Sequence, residues 1–91
     1  MPRLRLHFTP QLRRFLEAPA QEVEAGSARE ALDRLRAAHP RLAAYLMDEQ
    51  GRVRQHVAVF VGGRLVRAPA ELDAPLADGA EIHLMQALSG G

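Results

Sequence analysis

The sequence predicts an α+β fold of two layers, in which a main helix covers one face of a β-sheet. A length of 91 residues fits one small domain. Several short stretches alternate apolar and polar residues, which is the period of half-buried strands, whereas residues 28–38 carry apolar residues at helical spacing. A single main helix covering one face of a small sheet is an economical way to close one core from these elements.

The first two strands are predicted from alternation. Residues 3–8, RLRLHF, place three apolar side chains on one side and two arginines and a histidine on the other. Residues 20–25, AQEVEA, alternate in the same way with Val23 directed inward. We expect these strands to form a hairpin with a long loop.

The main helix has a predicted start and end. Ser27 stands three residues before Glu30, the spacing of a capping box in which each side chain accepts a backbone N–H at the helix start. The helix should begin at Ala28, and Pro40 should end it at His39. Residues 41–47 could add a second short helical segment with three inward side chains, Leu42, Tyr45 and Leu46.

The second half predicts three more strands. Residues 53–61 are strand-like, and Gly62-Gly63 suits a tight hairpin turn into residues 64–67. A loop with a turn at Asp78-Gly79 then leads to a last strand over residues 80–87. Period two directs one set of side chains toward the helix and the other toward the open face. The inward set is Leu4, Leu6, Phe8, Val57, Val59, Val61, Ile82 and Leu84, and the outward set is Ala58, Phe60, His83 and Met85.

Composition and charge exclude several functional classes. The chain has no cysteine, and therefore no disulfide or thiolate site. Its net charge is +1, with basic and acidic residues interleaved, which argues against nucleic acid binding. Its longest apolar run, residues 57–61, is far shorter than a membrane span of about 20 residues. The start lacks the apolar core of a secretion signal, so we expect a cytoplasmic protein.

No catalytic or metal site is apparent in the pattern of polar residues. The four histidines, His7, His39, His56 and His83, lack zinc-ligand spacing, although His7 and His83 would meet if their strands were adjacent. Asp33, Asp48 and Asp73 show no pairing suited to acid and base catalysis. No glycine-rich phosphate loop precedes a helix. We therefore expect no metal, no bound cofactor and no active site within the chain.

The sequence ends on Gly90-Gly91, with no following strand for a glycine turn to connect. Either these residues are frayed surplus, or the terminal carboxylate is the working group. Glycine lacks a Cβ, so such an end is slim and free to adopt unusual backbone angles in a narrow channel. We favour the working carboxylate.

The element order and two motifs resemble the ubiquitin-like β-grasp sulfur carriers, which include the thiamin-pathway carrier and the small subunit of molybdopterin synthase. The most specific motif is LADGAEIHLMQALSGG, residues 76–91. The second, YLMDEQGRVRQHVAVFVGGRLVR, is similar to the longer members, notably the mycobacterial-type carrier for cysteine synthesis. The resemblance implies a mixed sheet with parallel first and last strands, a β-grasp domain over residues 1–87 and a flexible tail over 88–91.

The same resemblance implies the chemistry of the tail. An adenylating enzyme related to ubiquitin-activating enzymes would use ATP to activate the Gly91 carboxylate. A sulfur donor such as a sulfurtransferase would then provide the sulfur of a thiocarboxylate, which a sulfur-accepting synthase would consume in cofactor, cysteine or metabolite biosynthesis. The chain would be a protein cosubstrate and not an enzyme.

Other residues are candidates for partner contacts. Gly90, Ser89 and Leu88 would enter the partner with the tail, and the outward Phe60 and Met85 suggest a docking patch. Phe60 could equally pack against a neighbouring strand or loop. Three other functions stay open: a subunit of molybdopterin synthase, a ubiquitin-like modifier joined to lysines of other proteins, and a plain binding module with inert glycines.

Overall fold

Within the described residues, the protein forms one five-stranded mixed sheet packed against two α-helices. The computed structural model describes residues 2–9 and 20–86. The elements in chain order are β1 Arg3–Phe8, β2 Ala20–Glu24, α1 Ala28–Ala38, α2 Pro40–Leu46, β3 Val57–Val61, β4 Arg64–Leu65, a 3-10 helix Pro69–Asp73 and β5 Glu81–Gln86. The predicted α+β class is confirmed.

The sheet has the strand order β2-β1-β5-β3-β4. The first and last strands pair in parallel at its centre, with Leu6 opposite Ile82, and the other pairs are antiparallel. This is the mixed β-grasp sheet that the resemblance implied. β5 therefore has a strand on each side along most of its length.

The start of α1 is capped by two side chains. Glu30 donates its backbone N–H to the Ser27 hydroxyl at 3.2 Å, as the capping box predicts. The Glu30 carboxylate, however, accepts the backbone N–H of Gly26 at 2.6 Å. The capping box predicted the backbone N–H of Ser27 as this donor, so that part of the prediction is wrong by one residue. The N–H of His39 closes the helix on the Leu35 carbonyl at 2.7 Å, and Pro40 opens α2.

The core lies between the helices and the inner face of the sheet. The predicted inward set is buried, except that Val61 is only partly buried. In α2 the buried side chains are Leu42, Ala43 and Leu46. Tyr45 was expected to face the core; it packs against the core but is only partly buried, and its ring also lies edge-on to His56 with centroids 4.8 Å apart.

The segment between α2 and β3 differs from the prediction. The strand expected over residues 53–61 begins at Val57, since residues 53–56 are occupied by a bridge and a turn. Val53 makes an isolated bridge with Met47, and Arg54 donates its N–H to the Leu46 carbonyl at 2.9 Å. The chain thus stays attached to the end of α2 before it joins the sheet.

The region after β4 contains a 3-10 helix where a loop was predicted. Glu71 accepts the backbone N–H groups of Arg67 and Ala68 at 3.0 and 2.8 Å, which closes the turn that precedes it. Arg29 on α1 donates to Asp73 at 2.9 Å and to the Pro69 carbonyl at 3.1 Å. These bonds fix the 3-10 helix against α1.

Glycines make the two predicted turns. Gly62 and Gly63 have φ of 58° and 84°, the left-handed values that a two-residue hairpin turn requires. Gly79 has φ of 86°, and Asp78 accepts the backbone N–H of Arg3 at 2.7 Å. Both predicted turns are confirmed.

Two predictions from the sequence concern residues that the structure does not describe. The loop between β1 and β2 and the boundary at residues 87–88 lie outside the described residues. Within residues 2–9 and 20–86, the helices are all too short or too polar to cross a membrane.

Candidate functional site

The candidate site begins at the carboxyl end of β5, where the chain enters its last five residues. Gln86 is the Cα partner of Val57 on β3, and on the other side the Leu84 carbonyl accepts the Thr9 N–H at 3.3 Å. The sheet therefore holds the strand up to its final residue. Leu88, Ser89, Gly90 and Gly91 lie outside the described residues, so the roles assigned to them stay predictions.

Three apolar side chains share the open face of the sheet between the middle of β5 and its carboxyl end. Phe60 lies opposite His83 on β5 and opposite Leu65 on β4, while Met85 lies opposite Ala58 on β3. Met85 is 41% exposed and Leu65 is 37% exposed. We call Phe60, Leu65 and Met85 the open-face patch.

Phe60 is less exposed than the sequence suggested. It was expected to point at water, but it is partly buried, because His83 and Leu65 flank it on the two neighbouring strands. Part of the Phe60 side chain thus packs against neighbouring strands, as the alternative prediction stated. Leu65 was not singled out from the sequence, although the Gly62-Gly63 turn places it opposite Phe60.

His7 and His83 meet beside this patch. Their rings stack with centroids 4.4 Å apart and planes 12° from parallel, and the Nε2 atom of His7 lies 2.7 Å from the Glu81 carboxylate. Stacked rings direct their nitrogen atoms side by side rather than toward one point. Among residues 2–9 and 20–86, no group of three or more histidines and acids is arranged to hold a metal ion.

The opposite end of the open face is ionic. Arg3 lies 3.9 Å from Glu22 and 3.7 Å from Glu24, and Arg5 lies 3.6 Å from Glu22. These side chains are about half exposed or more, so the pairs contribute little to stability. The open face thus changes from charged to apolar along β5, and the apolar end is the one that leads to residue 87.

Two carboxyl groups have lowered pKa values, and both hold turns. The pKa of Asp48 is lowered because its carboxylate accepts the backbone N–H of Arg52, helped by the Arg52 guanidinium and the N–H of Gln50. The pKa of Glu71 is lowered by the N–H groups of Arg67 and Ala68. Hydrogen bonds to the charged form explain both shifts, and their geometry is structural rather than catalytic.

A protein-family model matches residues 6–91, which is most of the chain and includes Gly90 and Gly91. The chain belongs to the ThiS family. Membership in the ThiS family, together with the mixed sheet, confirms the resemblance to the ubiquitin-like carriers that the motifs indicated.

Solved structures of similar fold include the following three proteins. SAMP1 from Haloferax volcanii is 24% identical with a TM-score of 0.80, and the match covers 98% of this chain and 99% of that one. CysO from Mycobacterium tuberculosis is 19% identical with a TM-score of 0.79, over 93% and 99% of the two chains. A chain from the complex of molybdopterin-converting factor subunits 1 and 2 of Helicobacter pylori is 19% identical with a TM-score of 0.62, over 98% and 99%.

At these identities the structural likeness shows the fold. No curated protein sequence matches the chain significantly. The ThiS family and its β-grasp fold are therefore the level at which the chain is identified.

Proposed function

We propose that this ThiS-family protein is a sulfur carrier whose Gly91 carboxylate is adenylated and then converted to a thiocarboxylate. The observation that carries the proposal is the family match, which extends through Gly90 and Gly91. The sheet supports it, because β5 lies between β1 and β3 and brings the chain to residue 87 from a rigid base.

The chemistry needs little from the chain except its end. An activating enzyme joins the Gly91 carboxylate to the α-phosphorus of ATP and releases pyrophosphate. The terminal sulfur of a donor persulfide then displaces AMP at the acyl carbon to give an acyl persulfide. A thiol attacks the donor sulfur of that S–S bond, which forms a disulfide with the donor and releases the thiocarboxylate. The carrier binds no cofactor of its own and acts as a cosubstrate, with ATP bound by its partner in the cytoplasm.

Glycine at the last two positions suits this chemistry for a steric reason. The acyl adenylate must be kept from water, so the partner has to enclose it in a narrow channel. A Cβ at Gly90 or Gly91 would widen the segment that enters this channel. Ser89 and Leu88 would contact the wider part of the same channel.

The open-face patch supplies a second contact in this proposal. Met85 lies one residue before the end of β5, and Phe60 is its diagonal neighbour on β3, so a partner that binds the tail meets the patch at Met85. Apolar side chains grouped on an exposed face are typical of protein contact surfaces.

Substitution of Gly91 by alanine tests the steric part of the proposal. We expect Gly91→Ala to fold as the parent does and to lose ATP–pyrophosphate exchange with an adenylating enzyme that accepts the parent. Arg34→Ala, at an exposed position of α1, is the control and should retain exchange. Full exchange by Gly91→Ala would contradict the proposal.

Two alternatives have specific support. The likeness to SAMP1, a small archaeal modifier protein, favours a ubiquitin-like modifier, which would yield higher-mass conjugates that disappear when Gly90 and Gly91 are deleted. The likeness to a subunit of molybdopterin-converting factor favours a small subunit of that enzyme, which would form a stable complex with a large subunit.

A further inference from the structure

A cavity of about 340 Å³ opens on the helix side of the sheet. Its walls come from the inner face of β3, the chain after β4 and the 3-10 helix. Five aliphatic side chains form its floor: Val53, Val57, Val59, Val66 and Leu72. Its volume falls at the lower end of the range of ligand pockets, about 300 to 1,000 Å³.

Four arginines surround this floor, and two of them are already paired. Arg29 donates to Asp73 at 2.9 Å, and Arg52 donates to Asp48 at 2.9 Å. Both bonds also hold local structure, the 3-10 helix in one case and the turn after α2 in the other. These two guanidinium groups are neutralised within the chain.

The other two arginines have no such partner. Within residues 2–9 and 20–86, no carboxylate oxygen lies within 4.0 Å of the Arg54 or Arg67 guanidinium. Arg54 donates its Nε–H to the Ala44 carbonyl at 3.0 Å, which fixes the orientation of its guanidinium beside the cavity. Glu71 is engaged by backbone N–H groups of Arg67 and Ala68.

The cavity lies at the same end of the sheet as the exit of β5. Val57, part of its floor, is the Cα partner of Gln86, the last residue of that strand. The open-face patch lies on the other side of the sheet, with Met85 at this end and Phe60 and Leu65 at the level of His83. A protein that handles residues 87–91 would therefore lie beside the cavity.

We propose that this cavity, the arginine pocket, binds an acidic segment of a partner protein. An apolar side chain of the segment would pack on the aliphatic floor, and a neighbouring carboxylate would pair with Arg54 and Arg67. Guanidinium and carboxylate groups form charge-assisted hydrogen bonds of matching geometry. The choice of a protein as ligand rests on the proposed function, because the pocket adjoins the strand that leads to the reactive end.

A short peptide can test the pocket without the natural partner. The probe is Ac-Glu-Leu-Phe-Glu-NH2, titrated into ¹⁵N-labelled protein at low salt, because exposed charges are screened within about 10 Å at 0.1 M ionic strength. We expect amide shifts at Val57, Val66 and Arg67. The double variant Arg54→Gln with Arg67→Gln should weaken binding about fivefold or more, since each exposed pair is worth up to about 1 kcal/mol.

Arg34→Gln with Arg41→Gln is the matched control. Both residues are exposed on the helices, outside the pocket lining, and their loss changes net charge by the same amount. This double variant should bind the peptide as the parent does. Equal weakening in the two double variants would show a general charge effect and would overturn the proposal.

Two further probes separate other ligands. The neutral peptide Ac-Gln-Leu-Phe-Gln-NH2 should bind more weakly, and equal binding would overturn the role of the arginines. Octanoate that shifts the floor residues while the acidic peptide shifts none would assign the pocket to a small apolar carboxylate and overturn the proposal. No shift with any probe would overturn it as well.

This test is separable from that of the proposed function. A variant lacking Gly90 and Gly91 should still bind the acidic peptide, because all the pocket residues lie between Arg29 and Leu72. Failure of the parent protein to form a thiocarboxylate, with peptide binding intact, would therefore count against the carrier chemistry alone, and thiocarboxylate formation without peptide binding would count against the pocket alone.

Discussion

The two faces of the central strands have opposite environments although they alternate along the same residues. On β5, Ile82 and Leu84 have no exposed surface, while Met85 is 41% exposed. On β1, Leu4 and Leu6 are likewise fully buried, and they alternate with the exposed Arg3 and Arg5. The difference arises because successive side chains of a strand point to opposite sides. The side of the sheet on which a residue lies therefore decides whether its side chain stabilises the core or is exposed for contact with other proteins.

The largest expected difference between the faces comes from truncating one side chain on each. Ile82→Ala should lower the free energy of unfolding by about 2–5 kcal/mol, because it leaves a cavity in the core. Met85→Ala on the same strand should change it by about 0.5 kcal/mol or less. Urea denaturation measures both values, and comparable losses would contradict the division between the faces.

The helix that covers the buried face depends on its cap. Ser27→Ala removes the oxygen that accepts the Glu30 N–H and should lower the free energy of unfolding by about 1 kcal/mol. Ser27→Asp should restore most of this loss, because aspartate caps equally well. Thermal denaturation of the three proteins gives the comparison, and an unchanged Ser27→Ala variant would mean that the cap does not hold the helix over the sheet.

Phe60→Ser examines the open face for a role other than stability. The side chain is partly buried, so we expect a smaller loss of stability than for Ile82→Ala, together with weaker association with an activating enzyme. Fluorescence-based denaturation and a binding titration separate the two effects. Unchanged affinity would reject the open-face patch as a docking surface.

The smallest effect should come from the turn that returns the chain from the helices to the sheet. The pKa of Asp48 is lowered, mainly by the N–H of Arg52, so its ionised form stabilises the folded state. This contribution is complete above the pKa of the unfolded chain, about 3.9, and is lost as pH falls through the lower folded value. Asp48→Asn should therefore flatten the acid limb of stability against pH, and an unchanged acid limb would contradict this role.

Strand alternation allowed most of the sheet to be predicted. The alternation in residues 3–8 is strict and that in residues 81–84 is similar, and the Gly62-Gly63 pair fixed the hairpin between β3 and β4. The strand start at residue 53 was wrong because Val53 and Arg54 satisfy their backbone at the end of α2, a contact that no local pattern records. The 3-10 helix was missed since its anchor, Arg29, lies 40 residues earlier in the chain.

The candidate site likewise has features that the sequence predicts and features that only the fold shows. The Gly90-Gly91 motif is local and readable from the sequence, and the family match includes it. The outward direction of Phe60 and Met85 followed from strand alternation. The partial burial of Phe60, however, depends on its neighbours on the adjacent strands. The arginine pocket joins residues between 29 and 72 from several elements, so only the assembled fold shows it.

Intact mass spectrometry detects the proposed thiocarboxylate at Gly91 directly. The protein would be incubated with ATP, an activating enzyme and a sulfur donor, alongside the variant lacking Gly90 and Gly91. We expect the parent to gain the mass difference between one sulfur and one oxygen atom, localised by fragmentation to Gly91, and the shortened variant to gain nothing. A parent whose mass stays unchanged with an enzyme active on another carrier, or a shortened variant that acquires the same increment, would contradict it.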